Sequence, residues 1–129
     1  LDVLGARFVS LQYGDVTGDA TLWGDKIAFW PECHETFYET AALIGALDLV
    51  ISVQQTAVHL TGALGAECWG LISDPAEWRY GQSGAAMPWY PSVRLFRQPV
   101  PGEWGPVLHE VAEKLAERVR SRDKRHAVP

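Results

Sequence analysis

The sequence predicts one α/β domain built on a parallel sheet with helices on both faces. Three observations predict it. Residues 48–53 (DLVISV) and 67–72 (ECWGLI) are short, mostly apolar runs of the kind that suits strands covered on both sides. Helical patterns separate the strand-like runs, and that alternation implies parallel strands joined by right-handed crossovers. The chain then closes on an amphipathic helix, because Trp104, Val107, Leu108, Val111, Leu115 and Val119 recur at intervals of three and four. A length of 129 residues supports one core and is too short for two ordinary domains.

Taken in order, residues 7–13 (RFVSLQY) alternate and are rich in strand formers, and Gly14 and Asp15 then turn the chain. Residues 16–30 are polar and glycine-containing, with a short strand at 26–30 halted by Pro31. Thr40 is the expected N-cap of a helix over 41–47, with Glu39 beside it also able to satisfy free amides. Residues 48–53 follow as the expected central strand. Gln54 and Gln55 turn, 56–64 form a helix of small residues, and Gly65 is a left-handed C-cap. After the strand at 67–72 comes a long irregular stretch, 73–91, carrying Trp78, Tyr80, Trp89 and Tyr90; loops of this length usually have a function. Residues 93–96 are the last strand, and Pro101 and Gly102 precede the final helix.

A formal charge of −5 argues against general nucleic-acid binding, which needs a basic surface. The charge is uneven: residues 1–50 hold eight acids and two bases, whereas 103–129 hold five acids and six bases. Arg118, Arg120, Arg122, Lys124 and Arg125 read as cations that complement a helix C-terminus, with a basic tail for an anionic partner as the alternative. No apolar run approaches the ~20 residues of a membrane span, since 41–53 is interrupted by Asp48. Cys33 and Cys68 are isolated, which fits two unpaired thiols in a reduced, cytoplasmic setting. Glu32, Cys33, His34 and Glu35 are ligand-type residues, but adjacent side chains rarely converge on one ion, so no metal and no cofactor is expected. Leu1, Asp2 and Val3 show neither an initiator Met nor a signal pattern and read as the start of a piece of something longer.

In an open parallel sheet, ligands bind beyond the carboxyl ends of the strands, where helix N-termini offer free N–H groups that suit phosphate. Residues 50–59 (VISVQQTAVH) are the best candidate: Gln54, Gln55 and Thr56 end a buried strand, and His59 follows Thr56 on the same face of the helix. There is no GxGxxG and no Walker loop, which argues against dinucleotide and triphosphate sites. The plainer reading makes Gln54 and Gln55 turn residues, Thr56 a cap and His59 a packed, hydrogen-bonded histidine.

Residues 39–98, about half the chain, resemble the C-terminal part of heptosyltransferase-like (ADP-heptose transferase-type) glycosyltransferases, especially versions fused behind tetratricopeptide repeats. The strings that carry the resemblance are ETAALIGALDLVISV (39–53), AVHLTGALG (57–65), EWRYG (77–81) and MPWYPSVRLFRQ (87–98), and FVSLQYGD (8–15) is similar to the first strand of that half. The resemblance implies a Rossmann-like sheet forming one half of a two-domain transferase of GT-B type. This half would bind the nucleotide-sugar donor; a missing N-terminal half would supply the acceptor site and the base, so the fragment alone is not expected to turn over. The implied chemistry is metal-independent and inverting, with helix N-termini and cations stabilising the departing diphosphate.

The family pattern after the central strand is Asp, Ser or Thr, Gly, two variable residues and His-Leu. Here His59 and Leu60 match, whereas Gln54, Gln55 and Thr56 depart from it. The resemblance makes Gln54, Gln55, Thr56, His59, Trp78 and Arg79 the donor-binding candidates and identifies no catalytic residue. Arg79 would make a forked contact with the diphosphate, and Trp78 or Tyr80 would stack on a base or sugar. Trp89 and Tyr90, between Pro88 and Pro91, read as packing residues, and Arg94 and Arg97 as solvated or paired. The rival is a non-catalytic interaction module that kept the fold in a tetratricopeptide-repeat protein, a reading that Gln54 and Gln55 support.

Overall fold

The computed structural model describes residues 3–126; residues 1–2 and 127–129 and the side chains of 123–126, Lys124 and Arg125 among them, lie outside the described residues. Among the described residues, five strands run parallel in two small sheets. β1 (Phe8–Val9) pairs with β2 (Ile27–Ala28), Phe8 beside Ile27. β3 (Val50–Val53), β4 (Cys68–Ile72) and β5 (Val93–Arg97) form the second sheet in that order, with Val50, Cys68 and Val93 in register. The helices are α1 (Thr17–Trp23), α2 (Phe37–Ala46), α3 (Thr56–Ala63) and α4 (Gly105–His126). No described helix is long and apolar enough to cross a membrane.

Alternation along the strands divides the core between two faces. On one, Val50, Cys68, Ile72, Val93 and Leu95 meet Ile44 of α2 and Val58 of α3. On the other, Trp69, Leu71 and Phe96 meet Val107, Val111 and Leu115 of α4. All five residues of β4 are buried, so β4, not the strand at 48–53, is the central strand of the larger sheet. β3 is hydrogen-bonded on one side only. Its other edge faces β1 across a cleft whose walls include Phe8 and Val9 on one side and Leu49 and Ile51 on the other. An apolar run reports burial, and burial by helices above and below does not reveal which neighbours a strand has. Burial also pushes the Cys68 thiol up to about 12, which keeps it neutral; Cys33 and Cys68 are both free.

Element boundaries moved for identifiable reasons. The strand expected over 7–13 is only two residues long because its partner β2 is equally short. Residues 17–23 form a helix that no apolar stripe announced: α1 buries nothing. Its signal is Asp15, whose carboxylate accepts from the Thr17 amide at 2.9 Å. Hydrogen bonds from Thr17 hold that carboxyl below its ordinary value. The second helix begins at Phe37, not after Thr40. Thr36 is its N-cap, and Thr36 and Glu39 form a reciprocal capping box that satisfies two otherwise orphan amides. In α4, Val107, Val111 and Leu115 keep the four-residue spacing and are buried, whereas Leu108 falls off that line and is largely exposed.

α3 ends as expected, with Gly65 left-handed at φ +68° and its amide donating to the Gly62 carbonyl. Gly62 itself is required for another reason: a Cβ there would overlap the Tyr90 ring. Gly62→Ala therefore sets a helix-propensity gain of up to ~1 kcal/mol against an overpacking penalty of about 1–3 kcal/mol. Net destabilisation is the expected outcome in urea unfolding; a variant more stable than the parent would show that Tyr90 is free to move.

Candidate functional site

The larger sheet turns its carboxyl ends toward Gln54, Ser73 and Gln98, the residues that follow β3, β4 and β5. Gln54 is bound into the protein: its Oε1 accepts from the Ser73 amide at 2.7 Å and the Ser73 hydroxyl at 2.6 Å. Gln55 is exposed and is the N-cap of α3, and its Nε2 donates to the Ser52 hydroxyl at 2.9 Å. Neither Gln55 nor Thr56 makes a side-chain cap, so Thr56 is the first helical residue and not the cap. The first-turn amides of α3 thus receive no side-chain cap from this turn.

His59 is half-buried and faces the aromatic loop. Its Nε2 lies 3.1 Å from the Tyr80 hydroxyl, and its ring also meets Tyr90 edge-on at 5.9 Å between centroids. Burial, and then the nearby Glu77 carboxylate, raise the Tyr80 phenol above its ordinary value. This contact brings the 73–92 loop against α3. A 3-10 turn at Trp78–Tyr80 carries the remaining candidates. Arg79 pairs with Glu77, and its guanidinium lies 4.7 Å above the Trp78 ring, which is 71% exposed. Trp89, expected to be packed, is 60% exposed and donates its indole N–H to the Arg79 carbonyl at 3.1 Å. Tyr90 packs as expected, against Gly62.

Arg97 holds this loop in place. Its Nε donates to Gly84 O at 2.7 Å, Nη1 to Gly81 O at 3.1 Å, and Nη2 to Tyr80 O at 2.6 Å. A planar fork with five donors is suited to several carbonyls at once. Partial burial lowers its pKa from the usual value. Arg94 is exposed, 5.2 Å above the Phe96 ring.

Two concavities lie between β1 and β3. One, of about 610 Å³, opens at their amino ends above Leu115 and Val119 of α4. The other, of about 470 Å³, opens at their carboxyl ends and is lined by Ser10, Gln12, Tyr13, Ser52, Val53 and Gln55. Of the six candidates from the sequence, only Gln55 lines this second cavity; His59, Trp78 and Arg79 form a neighbouring group on α3 and the loop. Ser10, Gln12 and Tyr13 were missed, although they follow β1 just as Gln54 follows β3. The carboxyl-end rule applied to both strands would have found them. Glu32, Cys33 and His34 form a 3-10 turn in which His34 Nε2 sits 3.2 Å from the Ser10 carbonyl, and no group of three metal-ligating side chains occurs among the described residues.

No protein-family model matches the chain, and no solved structure matches it. In an alignment 117 positions long that covers 86% of the chain, it is 34% identical to Protein FlbA of Caulobacter vibrioides. That alignment covers 19% of FlbA, so the chain spans about a fifth of the length of this curated relative.

Arg97→Ala strands several loop carbonyls and removes charge-assisted bonds worth about 1.5–3 kcal/mol each, less for the partly exposed ones. A loss of at least ~2 kcal/mol in denaturant unfolding is expected, together with faster proteolysis between 73 and 92. Arg97→Lys should recover little, having no fork. Unchanged proteolysis in Arg97→Ala would mean that aromatic packing alone holds the loop.

Proposed function

We propose that this chain is the donor-binding domain of a metal-independent, inverting glycosyltransferase of GT-B type that transfers a sugar from a nucleotide-sugar. The observation that carries the reading is the concavity at the carboxyl ends of β1 and β3. From β1 the chain proceeds to β2 on one side; from β3 it proceeds to β4 and β5 on the other. Read as one open sheet, the two would change strand order at this gap, and such a point is where open parallel sheets hold ligands. Gln55 at the start of α3 lines that cavity, so a diphosphate seated there would meet the free amides and partial positive charge of the first turn.

Arg79 supplies the cation. It stands one residue from Tyr80, which touches α3 through His59, and its pairing with Glu77 is solvent-exposed and easily exchanged for a diphosphate. The likeness of residues 39–98 to heptosyltransferase-like enzymes supports the same assignment. The base and acceptor site belong to another half of the parent protein, and two free thiols suit a cytoplasmic setting. A second reading, a non-catalytic interaction module in a repeat protein, is favoured by the exposed Phe37, Tyr38, Trp78 and Trp89 and by the engagement of Gln54 with Ser73.

Titration with ADP, GDP and UDP separates the two. At least one diphosphate should bind weakly, since half of the cleft is contributed elsewhere. Arg79→Ala should weaken it by about 1.5–3 kcal/mol, the value of a hydrogen bond to a charged group. His59→Ala should weaken it less, because His59 acts through Tyr80. If no diphosphate binds even to the full-length parent, the interaction module is the better account.

A further inference from the structure

The two sheets part between β1 and β3, and the strands there leave backbone groups without partners. The Val50 amide donates to the Glu67 carbonyl, so Val50 and Ser52 serve β4, and alternation turns Ile51 away from it. In the same way the Ser10 amide donates to the Ala28 carbonyl, so Phe8 and Ser10 serve β2 and Val9 turns away. Val9 and Ile51 therefore aim their N–H and C=O groups into the gap. No ladder and no isolated bridge receives them there among the described residues.

Both residues line the amino-end concavity of about 610 Å³. Each strand beside it is fastened to α4 and not to the other. Gly5, at φ +87°, brings the chain before β1 so close to α4 that a Cβ there would lie 2.8 Å from Val119. Arg118 of α4 donates to the Asp48 carbonyl at 3.0 Å and to Glu67 at 2.7 Å, which ties the start of β3 to the same helix. An open strand edge is normally guarded by a lysine, a proline or a bulge. Residues 49–53 (LVISV) contain neither residue, and their register with β4 runs without a bulge.

The mouth of the cavity sets the sign of charge. Arg118 and Arg122 are matched by Glu67 and Asp48. Arg7 is exposed and has no hydrogen-bond or ion-pair partner among the described residues.

We infer that this cavity takes an extended peptide of a partner protein, apolar along its length and carrying a carboxylate at the end that meets Arg7. Its main chain pairs with Ile51 on one side and Val9 on the other, its apolar side chains rest among Phe8, Leu49 and Leu115, and its carboxylate faces the guanidinium. A fatty carboxylate would fill the apolar walls and leave the main-chain groups unpaired. The inference stands apart from the donor-binding reading, which seats its ligand at the carboxyl ends of the strands.

Backbone amide exchange reads the test. In the chain alone, Val9 and Ile51 should exchange faster than Val50 and Ser52. Two probes, acetyl-Val-Thr-Val-Glu-Glu and Glu-Glu-Val-Thr-Val-amide, carry the carboxylates at opposite ends and so cover both strand directions. At about ten times its Kd, the probe that binds should slow exchange at Val9 and Ile51 about tenfold. The same probe N-methylated at its central residues keeps its side chains, loses main-chain donors and should not slow them. Arg7→Glu changes an exposed side chain, and an unmoved melting temperature checks the fold. It should weaken the acidic probe and strengthen its Lys-for-Glu counterpart, each by roughly two- to fivefold. Slow exchange at Val9 and Ile51 in the chain alone would show that β1 and β3 already pair, and would overturn the inference. Binding that survives N-methylation undiminished would overturn strand addition. Failure of both probes to bind, or equal binding of acidic and lysine probes, would overturn the assigned partner chemistry.

Discussion

The guanidinium of Arg97 reaches from the last strand to the carbonyls of Tyr80, Gly81 and Gly84, and the arrangement of the candidate site follows from that reach. The stretch of twenty residues between β4 and β5, 73–92, has little regular structure of its own. Without an internal anchor its ordering entropy would leave it mobile. Arg97 supplies charged donors to backbone acceptors that have no partner in a ladder, and Gly81 and Gly84 take positive φ to turn those carbonyls toward it. Once the loop is held, Tyr80 meets His59, Tyr90 fits over Gly62, and Arg79 and Trp78 stand beside α3.

The second constraint is the gap between β1 and β3. β1 and β3 belong to separate sheets with no ladder between them among the described residues, and two concavities are lined from both strands. The larger of the two spaces is at the amino ends, yet the N-terminus of α3 lies at the carboxyl ends. For an anionic ligand the smaller cavity has the better chemistry, because amides and partial positive charge converge there. Cavity size and site chemistry therefore point to opposite ends of the same cleft, and the chemistry is the stronger guide.

The parts of the fold legible in the sequence were those whose burial leaves a period. The runs ending in Val53 and Ile72 and the Val107–Val111–Leu115 line announced themselves in this way, and Gly65 by its conformational freedom at a helix end. α1 buries no residue, so it has no stripe to detect, and only the bond from the Thr17 amide to the Asp15 carboxylate marks it. The exposed Phe37 and Tyr38 look like core and hide the Thr36 capping box that stands around them. In the site, local order revealed the turn at 54–55 and the start of α3 at Thr56. It did not reveal what Gln54 touches, since Ser73 is nineteen residues away, nor that Arg97 closes on a loop thirteen to seventeen residues earlier. Side-chain contacts made across a crossover depend on strand order, and strand order is not written in any one segment.

A ligand seated at the carboxyl ends of β1 and β3 is visible to amide chemical-shift mapping with a nucleoside diphosphate. Perturbed amides should cluster at Ser10–Tyr13, Gln55–His59 and Arg79, with those lining the amino-end cavity, such as Leu49 and Val119, unmoved. Shifts centred on Leu49, Leu115 and Val119, or spread without a centre, would contradict it.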